Sequence, residues 1–135
     1  MSDTAKRLKD FLLADTAIAA VVGSHVHQEL VPEGSEDNWI WFSRSLTENE
    51  ICLDAAPGTP PLSETFDVEA ISPSLATAQE LALLVWNRCN CYRGTFGSGT
   101  VKGVFVNSQS DDYVPRGVYA DSGLHVSALS VQIFP

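Results

Sequence analysis

The sequence predicts an α+β fold in which a mostly antiparallel sheet of four or five strands carries two main helices on one face. Two segments place apolar residues at helical spacing, and one segment alternates strictly between apolar and polar residues. A composition of 44% hydrophobic and 19% charged residues is typical of a globular chain, and 135 residues suit one domain. We therefore expect residues 1–135 to form a single domain.

The first helical segment is predicted to break in two. Leu8, Phe11 and Leu12 recur at helical spacing, and Asp15 follows as a candidate N-cap for a second, shorter helix. Gly23 then follows the run TAIAAVV and is a typical helix stop. A long helix followed by a short one is expected rather than one rod.

Two strands and a loop are predicted next. Residues 25–31 suit a short strand that Pro32 ends. The run NWIWF, residues 38–42, places large apolar groups on both faces of a strand, which implies burial on both sides, in the fold or against a partner. Residues 54–62 carry three prolines and a glycine and are predicted to form a long loop or extended arm.

The middle of the chain predicts a strand and then the longest helix. In ETFDVEAI, residues 64–71, apolar and polar side chains alternate, so one face is expected in the core and the other in water. Ser72 followed by Pro73 is typical of an N-cap and a first helical position, and an apolar stripe continues to about Cys89. We expect this helix to pack on the sheet.

The C-terminal third is predicted to contain a glycine turn, two strands and an acidic loop. The glycines of GTFGSG are expected to adopt positive φ angles in a turn, followed by the strand VKGVFV. The loop DDYVPRGVYADSG, residues 111–123, then precedes a strand at 124–134. That strand changes its apolar face, which predicts either a bulge or burial on both sides: one face carries Leu124, Val126 and Ala128, and the other Leu129, Val131 and Ile133.

Charge and cysteine content exclude several functional classes. The net charge of −9 comes from 17 acidic and 8 basic residues, and no basic stripe is present to hold nucleic acid tightly. The first helical segment carries charges and lacks the roughly 20 apolar residues of a membrane span, so we expect a soluble chain that is not exported. Three irregularly spaced cysteines argue against a disulfide framework.

We predict no catalytic, cofactor or metal site, and hence no enzyme. One residue separates His25 from His27 and Cys89 from Cys91, a spacing that is wrong for structural zinc. The glycines of GTFGSGTVKG precede a strand and lack the Gly-Lys-Ser/Thr ending of a phosphate loop. The adjacent acids at 111 and 112 are interpreted as a solvated turn rather than a catalytic pair.

The order and texture of these elements resemble the small tail-terminator and tail-completion proteins of long-tailed bacteriophages. The resemblance covers most of the chain. Its most characteristic pieces are LLADTAIAAVVGSHVH, FDVEAISPSLATAQELALLV and DDYVPRGVYADSGLHVSALSVQIF.

This resemblance implies a structural virion protein that forms a ring, usually a hexamer, at the head-proximal end of the tail tube. There it would end tube polymerisation and offer a docking face to the head. The implied partners are other copies of itself, the tail tube protein, a head–tail connector or adaptor protein, and the genome as passing DNA, with no membrane and no cofactor. The protein would be assembled in the host cytoplasm and reside in the tail or neck of the virion. Alternatives are a neck adaptor or head-completion protein, and a small ligand-binding or enzymatic α+β domain.

Two sets of residues are candidates for ring contacts and for the lumen or docking loop. Apolar strand surface and the proline-rich arm suggest these subunit contacts: Trp39, Trp41, Phe42, Pro57, Pro60, Pro61, Leu129, Val131 and Ile133. The lumen or docking-loop candidates are Glu48, Glu50, Asp54, Asp111, Asp112, Arg116 and Asp121. A negative wall would repel DNA and let it slide, whereas the alternative is that the acids only solubilise the outside.

Overall fold

The computed structural model describes residues 3–28, 38–48, 62–114 and 124–135. Three helices and six strands occur in these ranges. In chain order they are α1 (Asp3–Leu13), α2 (Thr16–Val22), β1 (Val26–Gln28), β2 (Trp39–Glu48), β3 (Ser63–Ser72), α3 (Leu75–Cys89), β4 (Tyr92–Phe96), β5 (Gly99–Val114) and β6 (Leu124–Phe134).

The strands form one sheet in the order β1-β2-β3-β6-β5-β4. The pair β1–β2 is parallel and all other neighbours are antiparallel. The predicted α+β class is confirmed, but the predicted four or five strands are wrong because the sheet has six. The sequence analysis did not identify β4, a five-residue strand with Gly94 at its centre, which has too little apolar alternation to be recognised.

All three helices pack on one face of the sheet, which we call the helix side; the opposite face is the outer face. One large core lies between helices and sheet, and it includes Phe11 of α1, Ile18 of α2 and Leu81 of α3. The strands contribute alternate residues to it, such as Ile40 of β2 and Val131 of β6. Packing of the helices on one face was expected, although three helices take part rather than two.

The break between α1 and α2 is confirmed. The Asp15 carboxylate accepts hydrogen bonds from the backbone N–H groups of Ala17, at 2.8 Å, and Ile18, at 3.3 Å. Gly23 ends α2 with φ 64°, and its N–H donates to the carbonyl of Ala19. The cap and the stop satisfy backbone groups that the ends of so short a helix would otherwise leave unpaired.

The predicted start of α3 at Ser72 and Pro73 is wrong by two residues. Ser72 is the last residue of β3, paired with His125, and Ser74 is the N-cap, whose hydroxyl accepts from the N–H of Thr77. The hydroxyl of Ser72 instead donates to Asn38 and accepts from the N–H of Ser74. Two successive serines around a proline offer alternative caps, and sheet pairing takes the first.

The glycine turn between β4 and β5 packs directly against α1. Gly97 has φ 59°, as the sequence predicted for a turn glycine. A Cβ atom at Gly97 would lie 2.9 Å from the Cα atom of Arg7. Only a residue without a side chain allows the turn to lie this close to the helix backbone.

The first four residues of the predicted acidic loop are strand residues, because β5 continues to Val114, and residues 115–123 lie outside the described ranges. Asp111 and Asp112 are therefore strand residues, paired with Ser127 and Val126 of β6. Cross-strand partners explain this, since the hydroxyl of Ser127 donates to the Asp111 carboxylate. Short-range composition indicated a turn, but the long-range pairing with β6 determines the structure.

The last strand has apolar residues on both faces without a bulge against β3. Its register with β3 is continuous from Glu64 opposite Ile133 to Ser72 opposite His125. Leu129 and Ile133 face the helix side, whereas Leu124 belongs to a separate cluster on the outer face. Of the two predicted alternatives, burial on both sides is the one observed.

Candidate interaction surfaces

An apolar cluster covers one end of the outer face. Trp39, Ile71 and Leu124 are 5–9% exposed, and Trp41 and Val126 pack against them. We call these five residues the tryptophan patch. The indole N–H of Trp39 is buried and has no hydrogen-bond partner in the described ranges. The prediction that NWIWF is buried on both sides is confirmed, because Ile40 and Phe42 face the helix side.

Three acidic residues occupy the outer face next to the tryptophan patch. Asp67 and Glu69 project from β3, and Asp112 projects from β5. Burial raises the pKa of Glu69, and the negative charges of Asp67 and Asp112 raise it further. We call these three residues the acidic strip. None of them takes part in an ion pair within the described part of the chain, where the one ion pair joins Arg44 to Glu64.

An aromatic pair lies at the other end of the outer face. The rings of Phe105 and Phe134 meet edge to face at 5.8 Å, and Phe105 is 42% exposed. Gly103 makes room for this arrangement, since a Cβ atom there would lie 2.9 Å from the Phe105 ring. The outer face is thus apolar at both ends and acidic between them.

The predicted subunit contacts divide between this face and the core. Trp39 and Trp41 lie in the tryptophan patch. Phe42, Leu129, Val131 and Ile133 are 0–2% exposed within the subunit itself. These four side chains pack in the core of the subunit, and their contact with a neighbouring subunit stays a prediction. The predicted contacts at Pro57, Pro60 and Pro61 lie outside the described residues.

The predicted lumen residues do not share one surface. Asp112 faces outward in the acidic strip, whereas Asp111 faces the helix side, where Ser127 donates to its carboxylate at 2.5 Å and Gln79 donates at 3.4 Å. Glu48 is exposed at the end of β2. The remaining candidates, Glu50, Asp54, Arg116 and Asp121, lie outside the described residues.

The candidate zinc ligands are not brought together as a site. His25 and His27 are neighbours at the β1 edge, with ring centroids 5.9 Å apart, while Cys89 is buried at the end of α3 and Cys91 is exposed. Burial lowers the pKa of His27, with smaller contributions from Lys9 and His25. No group of three or more His, Cys, Asp or Glu side chains within the described ranges is placed to hold a metal ion. No described helix has the length and apolar character needed to cross a membrane.

Sequence reasoning missed two of the three acids in the acidic strip. The signal was present, because the alternation in ETFDVEAI already placed Asp67 and Glu69 together on the wet face of β3. What the sequence lacks is the strand order, which brings Asp112 of β5 to the same face.

Comparison with known proteins identifies a shared fold. No family model and no curated protein matches the sequence. A chain of the virion of a native gene transfer agent particle matches with a TM-score of 0.62 at 18% identity, over 99% of this chain and 98% of that chain. A second solved chain matches with a TM-score of 0.52 at 16% identity, over 96% and 89% of the two chains. The fold is therefore shared from end to end with a chain of a virion.

Proposed function

We propose that this protein is a structural component of a phage-like virion. It forms a homomeric ring, a hexamer, at the head-proximal end of the tail, ends polymerisation of the tail tube and presents the surface on which the head docks. Its partners are copies of itself, the tail tube protein and the head–tail connector. In this role the protein acts on no small-molecule substrate, and it contacts DNA only as the genome passes through the ring.

The observation that carries this proposal is the likeness of fold over nearly the whole of both chains to a virion component. A likeness confined to one motif would fit many functions, since folds are shared by unrelated proteins. Here the likeness covers every described helix and strand, and the order of elements independently resembles tail terminators.

The acidic strip supports a role as the wall of a passage. Asp67, Glu69 and Asp112 present negative charge on the face opposite the helices. A wall of this sign repels the phosphates of DNA, so a duplex slides past it instead of binding. A ring whose helices lie on its outside, and whose sheets turn the face opposite the helices toward the axis, would place these acids around its lumen.

Particle assembly without the protein tests the proposal. Overlong tails in its absence support a terminator, whereas tails of normal length detached from heads support a completion or adaptor protein. Native mass spectrometry of the purified chain at micromolar concentration is expected to show a discrete ring. A persistent monomer that binds small molecules, together with intact infectious particles in its absence, would contradict the proposal and favour a ligand-binding domain.

A further inference from the structure

Among the described residues, one edge of β2 and one edge of β5 lack a strand partner along part of their length. The strand β1 covers β2 only at Ile40–Phe42, so within the described ranges residues 43–48 of β2 have a strand partner on one side only. On the far side of the sheet, β4 covers β5 only as far as Val104. The N–H of Val106 then donates to the side chain of Asn90, at 3.2 Å, and the edge continues at residues 107–114.

Both stretches are accessible at the surface of the subunit. Residues 44–48 and 107–112 are all exposed. Neither stretch contains a proline or a lysine, the residues that commonly block an exposed edge. Each has a bulge near one end, at Ser45 and at Asn107.

We propose that residues 43–48 of one subunit pair with residues 107–112 of the next, so that neighbouring sheets join into one. This inference rests on the ring proposed above and names its joint. Three antiparallel steps separate β2 from β5, so the two strands run in opposite directions. Subunits placed side by side in the same orientation therefore present these edges to each other as an antiparallel pair.

The faces of the side chains fix the register of the joint. With one extra residue at the Ser45 bulge, Ser43 lies opposite Asp112 on the outer face, and Thr47 lies opposite Gln109 on the helix side. The same register places Arg44 opposite Asp111, both on the helix side. Arg44 is 44% exposed beyond its ion pair with Glu64, so its charge can attract a second carboxylate.

The stagger of this register agrees with a closed ring. Within one sheet Ser43 lies level with Ser108, whereas the joint places it opposite Asp112, a shift of four to five residues along the strand. At ~3.3 Å per residue the shift is about 15 Å, and the four strands between successive joints span about 19 Å. The ratio gives a strand tilt of about 38°, within the roughly 35–45° of closed barrels.

Six subunits joined in this way form a barrel of 24 strands, four from each copy. At this tilt and a strand spacing of about 4.8 Å, the backbone diameter is about 46 Å, wide enough for a DNA duplex. The acidic strip would line the interior. The capping strand β4 would lie beyond one end of each joint. At the other end β1 occupies the edge of β2 at Ile40–Phe42, so Tyr113 and Val114, the last two residues of β5, would have to turn away from the joint.

Cysteine cross-linking tests the register. In a full-length chain with Cys52 and Cys91 replaced by serine, the pair Thr47→Cys and Gln109→Cys is expected to form disulfides between subunits on oxidation. Denaturing electrophoresis should then show a ladder that ends at the ring size. The control pair, Thr47→Cys with Tyr113→Cys, uses an exposed helix-side residue four positions along β5, too far away for a disulfide, and should give no ladder.

A charge reversal provides the second measurement. Asp111→Arg faces Arg44 across the joint and is expected to weaken association about tenfold. Asp112→Arg makes the same change of charge opposite Ser43 and should weaken it far less. Rings that form without the ladder, or that give equal ladders for both cysteine pairs, overturn the joint and leave the ring standing. A chain that stays monomeric contradicts the ring as well.

Discussion

Substitution of Gly97 by alanine should destabilise the protein by about 3 kcal/mol. The positive φ angle costs a residue with a Cβ atom about 1–2 kcal/mol, while the stiffer unfolded chain returns about 0.4–1 kcal/mol. The new Cβ atom would also lie 2.9 Å from the Cα atom and 3.1 Å from the carbonyl oxygen of Arg7. Because these are backbone atoms of α1, the helix must move, and overpacking of this kind costs about 1–3 kcal/mol.

Thermal unfolding of a matched pair of variants checks this reasoning. With an unfolding entropy of about 0.28 kcal/mol/K for a chain of this length, Gly97→Ala should lower Tm by about 10 °C. Gly99→Ala is the control, because its Cβ atom would meet the guanidinium of Arg7, at 2.7 Å, and a flexible side chain can move away. Adding Arg7→Ala should restore any loss at Gly99 and none at Gly97. Rescue of Gly97→Ala by Arg7→Ala, or an unchanged Tm, would refute the close approach of turn and helix.

Three further outcomes are expected. Arg88→Ala should lower the free energy of unfolding by about 1–3 kcal/mol. The Arg88 guanidinium donates two hydrogen bonds to the carbonyl oxygen of Phe11, in the last turn of α1, and lies 4.0 Å from the centre of the Phe11 ring. Arg88→Lys should recover only part of the lost stability, because an ammonium group cannot reproduce both contacts. Glu69→Gln should raise Tm at pH 7, because the pKa of Glu69 is raised on folding and its ionised form therefore destabilises the native state. The carboxyl favours the native state only below its unfolded pKa, so the gain in Tm from the substitution should vanish at acid pH. The control Glu80→Gln, on the exposed face of α3, should not raise Tm. In the native protein a maleimide should label the exposed Cys91 and leave Cys89 unlabelled, because burial shields the Cys89 thiol and raises its pKa to about 12. Peptide mapping that finds both cysteines labelled equally would contradict the packing of α3.

The sequence predicted those elements that are determined by residues within or next to the element itself. The break between α1 and α2 follows from one carboxylate and one glycine, at Asp15 and Gly23, and needs no tertiary information. The alternation in β3 likewise fixes which residues enter the core. These predictions are confirmed because any other local structure would leave backbone groups without hydrogen bonds or expose apolar side chains to water.

Other features depend on partners distant in sequence. The strand character of Asp111 and Asp112 comes from β6, and a polar run with two adjacent acids carries no local signal for it. The burial of Leu129, Val131 and Ile133 under the helices depends on strand order, which composition cannot give. Without the strand order, the sequence leaves open whether this apolar face packs in the core or against a neighbouring subunit.

The charge on the outer face argues for a task that folding does not require. Burial raises the pKa of Glu69, repulsion from Asp67 and Asp112 raises it further, and within the described ranges no cation pairs with any of the three. Arg44, on the neighbouring strand β2, projects to the helix side of the sheet and pairs there with Glu64, so it does not neutralise these acids. A sheet face selected only for stability would mix charges, because like charges close together oppose compaction. Unpaired acids of one sign on a rigid sheet are what the proposed lumen wall would require, because such a wall must repel the passing DNA.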